Sequence, residues 1–466
     1  LIQQKGNESM LLSKNKNKET DILNGSAWKN IPKFALPLAA TGILGQLFNA
    51  SDIAIVGNFT GSNGTAAVAA VGANSPLIGL IVNLLIGISL GANVVIANAV
   101  GQNDDRTVYK TVHTSVLISI ICGIAVMLGG ELVSSAVLSV LNVPDDVFPF
   151  ALTYLRIYLL GLPVILLYNF EAAIFRSIGD TKTPLIALAL SGVLNIFLNM
   201  FFVIVLKMTV DGVAIATVIS NAVSSAILLV KLIKTEKIIH LELKQLAIDK
   251  SIFIKIIKIG LPAGIQSAVF SIANIVIQSA INSLGTVVMA ASSAAFNIEI
   301  FVYYILNSFS QACTTFVGQN YGAGQIERCK KIMFICLIQD AIATAITAII
   351  ALTFGKFLIA IFDSNPDVVE TGYTRLVMIF TMYVFTVFNE ILSGYLRGFK
   401  ISLTPAIMTM IGVCGVRIIW IYTVFPQSRT FKTIMTSYPI SMFVAASLIG
   451  IAVLIYRPSK RFANRG

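Results

Sequence analysis

The sequence predicts an all-α integral membrane protein with twelve transmembrane helices in two pseudo-symmetric six-helix bundles. Three observations carry that prediction. Of 466 residues, 56% are hydrophobic and only 12% charged; the apolar residues gather into long runs; and polar landmarks of the first half recur in the second. A mean hydropathy of +0.85 leaves too little charge to clothe a soluble globule. Runs of about 20 apolar residues match a hydrocarbon core about 30 Å thick. They are too long and uniform for barrel strands, and helices satisfy their own backbone groups where no water is at hand.

In chain order, residues 1–33 form a lysine-rich tail whose charges interrupt any secretory h-region, so it is expected to be cytoplasmic. Spans 1 to 6 lie near 34–58, 74–99, 112–130, 152–175, 184–206 and 212–233, making an N-lobe over 34–233. A lysine-rich cytoplasmic connector, 234–258, follows. Spans 7 to 12 lie near 259–284, 289–317, 331–354, 373–396, 404–425 and 434–456, making a C-lobe over 259–456, with a short basic tail at 457–466. Twelve spans in one chain can enclose a pathway without a partner, which predicts a monomer.

The net charge of +11 is topological. Lys and Arg cluster in the tail, around Arg106, Arg176, Arg328 and Arg397, and in the connector, all on one side of the expected membrane, which places both termini in the cytoplasm of a multi-pass plasma (inner) membrane protein. They form no basic face with aromatic readout, so nucleic acid is not an expected partner. Five scattered cysteines form no C-x-x-C, and two histidines, His113 and His240, lie in or beside charged segments. That leaves little for metal chemistry or a nucleophilic triad, so an enzyme is not expected.

Pro37 in span 1 matches Pro262 in span 7; Gly101-Gln102-Asn103 after span 2 matches Gly318-Gln319-Asn320 after span 8; and Arg176 with Pro184 matches Arg397 with Pro405. The offsets are 225, 217 and 221. A duplicated unit with an even number of spans gives parallel repeats, the arrangement in which two lobes rock about a central cavity.

Three stretches carry a family resemblance: Leu47 to Gly57 (LFNASDIAIVG), Phe175 to Pro184 (FRSIGDTKTP) and Phe316 to Gly324 (FVGQNYGAG). In order and spacing they resemble the multidrug and toxic compound extrusion (MATE) family of prokaryotic type, over nearly the whole chain from Ile31 to Arg457. The resemblance implies a V-shaped pair of bundles that exports organic, usually cationic and amphiphilic compounds in exchange for H+ or Na+, with no cofactor beyond the coupling ion.

The embedded polar residues supply the site candidates. Asp52 lies deep in span 1, where an ionised carboxylate is costly unless paired, hydrated or protonated, so it is the leading candidate for ion coupling. Asn195 and Asn199, four residues apart on one helix face, and Thr217 in span 6 add oxygens suited to a small hard cation. This set is similar to the N-lobe cation site of prokaryotic MATE transporters, except that the family often has Asp where this chain has Asn199. One carboxylate favours H+ over Na+.

In the C-lobe, some relatives place Glu in span 7 and Asp in span 10. Here span 7 offers Gln266, Ser271, Asn274 and Gln278, and span 10 offers Thr386. Gln266, Asn274, Gln278 and, above all, Glu299 in span 8 are the expected substrate-cavity residues, Glu299 as an attractor for organic cations. Asp340 is the lobe's other embedded acid. Glu171 with Arg176, and Glu390 with Arg397, are expected to be structural pairs or gate residues near the cytoplasmic ends. Pro37 is the expected hinge. A flippase for lipid-linked saccharides is the competing reading; it calls for a strongly basic central cavity, for which Arg156, Arg375 and Arg417 are the available residues.

Overall fold

A computed structural model describes residues 21–61, 64–141 and 143–459. The first 20 residues, and residues 460–466 of the terminal tail, lie outside this range, so the basic tails are described only in part. The regular structure of the described residues is helical, with no strand among them. The helices are α1 (Ala27–Phe59), α2 (Gly64–Gly101), α3 (Asp105–Val140), α4 (Phe148–Leu160), α5 (Leu162–Ser177), α6 (Lys182–Met200) and α7 (Val210–Lys234). After the connector come α8 (Lys250–Asn282), α9 (Thr286–Gly322), α10 (Ile326–Thr353), α11 (Gly355–Phe362), α12 (Pro366–Phe380), α13 (Tyr383–Gly398), α14 (Leu403–Thr409), α15 (Val416–Thr423) and α16 (Phe431–Tyr456).

Ten elements are long and apolar enough to cross a membrane singly, and two bent pairs complete twelve spans. The bent pairs are α4 with α5 and α12 with α13, each turned by 48°. They are spans 4 and 10, the same position in each half. At the first bend Gly161 ends α4 and Pro163 opens α5, where the missing N–H of proline costs nothing. Span 11 is α14 and α15 joined by a π-helical stretch, Met410–Gly415. All twelve apolar runs are helices here, most of them extending past the run at both ends. Hydropathy marks the lipid-facing length, while the polar turns beyond it remain helical in water.

The backbone adds its own record of the duplication. Left-handed residues close equivalent turns at Asn103 and Gly324, and at Gly179 and Lys400, each pair 221 positions apart. This corrects the register of one sequence match. Gly101 corresponds to Gly322, not Gly318, so the Gly-Gln-Asn pairing at offset 217 is one helical turn out of step with the fold. The spatial contacts agree: a Cβ on Gly101 would press on the Gln319 carbonyl, and one on Gly322 on the Asn98 carbonyl. Spans 2 and 8 thus cross symmetrically at their inner ends, each glycine against the other's backbone.

The cores show how the lobes are joined. The first half of α1 (Ile31, Phe34, Ala35, Leu38) packs into the C-lobe core, with Phe34 edge-on to Phe316 at 5.6 Å, whereas Ile55 and Val56 near its far end belong to an N-lobe core. The first half of α8 mirrors this: Ile252, Ile256 and Ile259 pack with Leu85, Val95 and Phe170 of the N-lobe, while Ile277 and Ile281 lie in the C-lobe core. Each lobe's first helix begins in the opposite lobe. The packing thus exchanges the first halves of α1 and α8 across the division expected at residues 233 and 259. Close approach at the α2–α8 crossing needs glycine: a Cβ on Gly91 would stand 2.2 Å from the Ile256 carbonyl oxygen, and one on Gly260 2.5 Å from that of Ile88.

Candidate functional site: two cavities above a shared inner seam

Polar groups from both lobes interlock at the inner end. Thr315 donates to Asn93 Oδ1 at 3.1 Å, Gln319 to the Ser177 carbonyl at 2.7 Å, Asn98 to the Gly398 carbonyl at 3.3 Å, and Arg176 to Gln311 Oε1 at 3.2 Å. Satisfied polar groups of this kind hold helices together where lipid offers no alternative partner. The sequence reading named Gln319 as part of a repeated Gly-Gln-Asn landmark but missed Asn93, Asn98 and Gln311. Asn98 lies one turn before the first landmark, the signal that pointed to this end.

The expected pairs at this end are arranged differently. Glu171 accepts from Ser225 at 2.8 Å while Arg176 turns to Gln311, and no ion pair joins Glu171 to Arg176 among the described residues. Arg397 donates to Gln266 Oε1 at 2.8 Å, and Glu390 accepts from Ser310 at 3.4 Å. Glu390 and Arg397 line one small pocket together with Arg176, without a direct ion pair between them among the described residues. Arg176 bridges the lobes and Arg397 joins two helices of the C-lobe, each through a neutral amide, and no salt bridge locks the seam among the described residues.

From this seam two cavities open, with Asn83 of α2 lining both. The N-lobe cavity, about 340 Å³, is lined by Phe48, Asn49, Asp52, Tyr154, Tyr158, Asn195, Thr217 and Asn221, among others. Asp52 is 6% exposed. Asn199 Nδ2 donates to Asp52 Oδ1 at 2.5 Å and to Asn195 Oδ1 at 3.1 Å; Thr217 Oγ1 lies 3.1 Å from Asp52 Oδ2. The fold thus brings the four residues Asp52, Asn195, Asn199 and Thr217 together from α1, α6 and α7. Asp52 is the single charged residue among those lining this cavity, and it is held by neutral donors alone. Asn199 presents an N–H, not an oxygen, to the carboxylate, so three oxygen-bearing groups remain for a cation: Asp52, Thr217 and Asn195.

The C-lobe cavity, about 360 Å³, is built differently. Of the expected cavity residues Gln266, Asn274 and Glu299 line it, together with Ser271 and Thr386, but Gln278 does not; it is exposed, further along α8, and donates to Asn282 at 2.7 Å. The helical phase explains the correction: Gln266, Phe270 and Asn274 recur every four residues along one face, and the slow rotation of that face toward the end of α8 turns Gln278 outward. Glu299 is not a free attractor either. Arg375 Nη2 lies 2.8 Å from its Oε2, and Arg375 Nη1 donates to Ser292 Oγ at 2.7 Å. Arg417 also lines the cavity; its Nε donates to Ser441 Oγ at 2.8 Å and its guanidinium lies over Tyr438, 4.0 Å from the ring centroid.

Other candidates lie apart from both cavities. Arg156 pairs with Glu131 at 3.5 Å in a partly exposed position. Asp340 is buried, accepting from Thr344 at 3.0 Å. Pro37 lies inside continuous α1; having no N–H it offers no helical donor to the Lys33 carbonyl, while its own carbonyl accepts from Thr41 Oγ1 at 2.9 Å. The connector docks on α3: His113 Nε2 accepts from the Glu242 amide at 3.0 Å, and Asp249 pairs with Lys110 at 2.7 Å. All five cysteines are free thiols.

Known proteins resemble this arrangement as a whole. The MatE family profile matches residues 37–201 and again 262–423, one copy per repeat, the matches starting at Pro37 and Pro262. "Probable multidrug resistance protein YoeA" of Bacillus subtilis is 25% identical over 402 residues, covering 84% of this chain and 86% of its own. "Probable multidrug resistance protein NorM" of Thermotoga maritima is 27% identical over 395 residues, with 84% of each chain covered. A multidrug resistance MATE family transporter solved in an outward-facing conformation shares the fold, with a TM-score of 0.87 over 95% of this chain and 99% of that one at 22% identity. The chain therefore belongs to the MatE family of multidrug and toxic compound extrusion transporters, membrane proteins that move small organic compounds and are not enzymes.

Proposed function

We propose that this protein is a secondary active antiporter that exports organic compounds, cationic and amphiphilic ones through the N-lobe cavity, in exchange for H+ or Na+, with H+ favoured. The observation that carries the reading is Asp52: a nearly buried carboxylate facing a cavity and held only by the amide of Asn199 and the hydroxyl of Thr217. Hydrogen bonds from neutral groups support the charged form without a permanent counter-ion. A proton or a passing cation can therefore compete for the same oxygens, which is what exchange requires. Two tyrosines and Phe48 supply ring faces for the apolar body of an organic cation.

Helix α1 is positioned to transmit the change. Its first half is anchored in the C-lobe core and its second half carries Asp52 against α6 and α7. Protonating Asp52 removes the charge to which Asn199 and Thr217 donate and loosens that attachment, leaving α1 to bend at Pro37. The differential contact with the two protonation states is what lets the ion bias two conformations. With the Lys- and Arg-rich end in the cytoplasm of a cell membrane and both termini on that side, the interlocked seam closes the inner face and the cavities face outward. The flippase reading loses support from the arginines: Arg156 pairs away from the cavities and Arg375 is held by Glu299, which leaves a single cavity-lining guanidinium of the C-lobe without a carboxylate.

The test is efflux of rhodamine 123 from proteoliposomes, driven separately by an imposed pH gradient and by an imposed Na+ gradient, for wild type and Asp52→Asn. Proton-driven efflux that vanishes in the variant is expected. Efflux driven by Na+ alone would assign the other ion, and gradient-driven efflux surviving in Asp52→Asn would overturn the role of this residue.

A further inference from the structure

The C-lobe cavity carries charges of both signs, where its N-lobe counterpart carries one carboxylate. Four charged side chains line it: Glu299, Arg375, Glu390 and Arg417. Glu299 and Arg375 neutralise one another at 2.8 Å. Glu390 sits at the inner end, where it accepts from Ser310 and shares a pocket with the guanidinium of Arg397. Arg417 remains. It is 4% exposed, and among the described residues only its Nε finds a hydrogen-bond acceptor, the Ser441 hydroxyl. No carboxylate lies within ion-pair distance of it among the described residues. Guanidinium is a fork of five donors, and here the terminal ones border a cavity with no protein acceptor engaged.

The walls around this charge are aromatic. Tyr438 lies under the guanidinium with its centroid at 4.0 Å and Phe270 at 5.7 Å, while Phe296, at 5.6 Å from the Arg375 guanidinium, and Tyr383 complete the lining. The hydroxyl of Thr386, buried and without a hydrogen-bond partner among the described residues, adds a further unused polar group on the wall. Stacking on Tyr438 fixes the guanidinium plane and leaves its edge for an in-plane acceptor. A cation entering beside Arg417 would meet a like charge that no carboxylate within ion-pair distance cancels, whereas a carboxylate, sulfonate or phosphate would complete the donor set.

We propose that the C-lobe cavity is a binding site for an aromatic organic anion, its acidic group taken by Arg417 and its ring by the surrounding phenyl and phenol faces. Glu299 holds Arg375 in place as a second, already neutralised wall. This extends the reading of the chain as an exporter of organic compounds by giving the second cavity a ligand class of its own. Binding is measured at equilibrium without a gradient, so failure of gradient-driven efflux would overturn the antiporter reading and leave this result standing.

The probes are fluorescein and rhodamine 123, which share a three-ring core and differ in the sign of their charge, titrated into the purified full chain in neutral detergent by fluorescence polarisation. Wild type is expected to bind fluorescein, Arg417→Gln to weaken it at least tenfold with rhodamine 123 binding unchanged or tighter, and Arg417→Lys to fall between. Should Arg417→Gln not fold, wild type alone decides: benzenesulfonate should displace fluorescein and benzyltrimethylammonium should not. Equal fluorescein affinity in wild type and Arg417→Gln, or displacement by the ammonium compound as effective as by the sulfonate, would overturn the proposal.

Discussion

The N-lobe and C-lobe cavities arose from one duplicated unit, are of nearly equal volume and share Asn83, yet their charged groups differ. In the N-lobe a carboxylate stands among neutral amides, a hydroxyl and tyrosines, with no arginine nearby to cancel it. In the C-lobe two arginines and two carboxylates line the wall: Glu299 pairs with Arg375, Glu390 sits at the inner end, and Arg417 stands over a tyrosine face without an ion-pair partner among the described residues. The shared helical frame fixes where a cavity forms, and a few side chains on the same spans decide what each cavity attracts. Duplication thus supplied one container twice, and substitution gave the two containers different charges.

The largest expected effect comes from breaking the pair that neutralises the C-lobe wall. Glu299→Gln leaves Arg375 buried without its counter-charge and should cost roughly 3–5 kcal/mol, seen as a large fall in the midpoint of thermal unfolding in detergent. Glu299→Gln combined with Arg375→Met should recover most of that loss; an additive further loss would show that the two residues do not act as a pair.

Next in size is Asp52→Asn, which leaves the hydrogen-bond geometry of the N-lobe nearly intact and removes only the charge. Gradient-driven efflux should fall by about a hundredfold or more, equivalent to about 2.8 kcal/mol at 1.4 kcal/mol per tenfold. Fluorescence-detected size exclusion should show normally folded protein, which separates this result from the stability loss at Glu299.

The seam below both cavities should respond more modestly. Gly91→Val forces a side chain into the Ile256 backbone on α8 and should destabilise by roughly 1–3 kcal/mol, measured as thermal unfolding, with both cavities affected because the crossing serves both lobes. A change confined to one cavity's ligand binding would mean that the lobes are not coupled through this crossing.

The smallest effect concerns the connector. The Asp249 carboxyl is held below its ordinary value of 3.8, first by the hydrogen bond from Lys110 and then by the backbone N–H groups that it caps at the start of α8. A depressed carboxylate stabilises the folded form above the unfolded value, and this contribution is lost as pH falls through the folded one. Amide exchange near residues 249–252 should therefore be flat from pH 7 to about 4, once corrected for intrinsic rates, and rise below that. Asp249→Asn should raise it near neutral pH and converge with wild type at low pH, with little effect on either cavity.

Much of the site was legible beforehand, and its limits have physical reasons. Asp52, Asn195, Asn199 and Thr217 could be grouped from sequence because a buried acid needs partners and the two asparagines share one helix face. Glu299 was found for the same reason, but its partner, Arg375, lies 76 residues away on another span, and no local pattern selects one intramembrane arginine over another. Arg417 was likewise visible as a rare charge inside a span, without any sign of whether a carboxylate would reach it. Gln278 was assigned to the cavity on polarity alone, which does not settle helical phase over a whole span.

The sequence by itself determined the twelve spans, their division into two repeats and the side that carries the positive charge, because hydropathy and charge act residue by residue against lipid and water. Only the tertiary structure decided the register of the repeat at 221, the exchange of the first halves of α1 and α8 between lobes, and which arginine is left without a carboxylate. Those outcomes depend on distances between residues far apart in the chain. A bilayer gives no hydrophobic preference for one helix face over another, so packing and hydrogen bonding must choose among them.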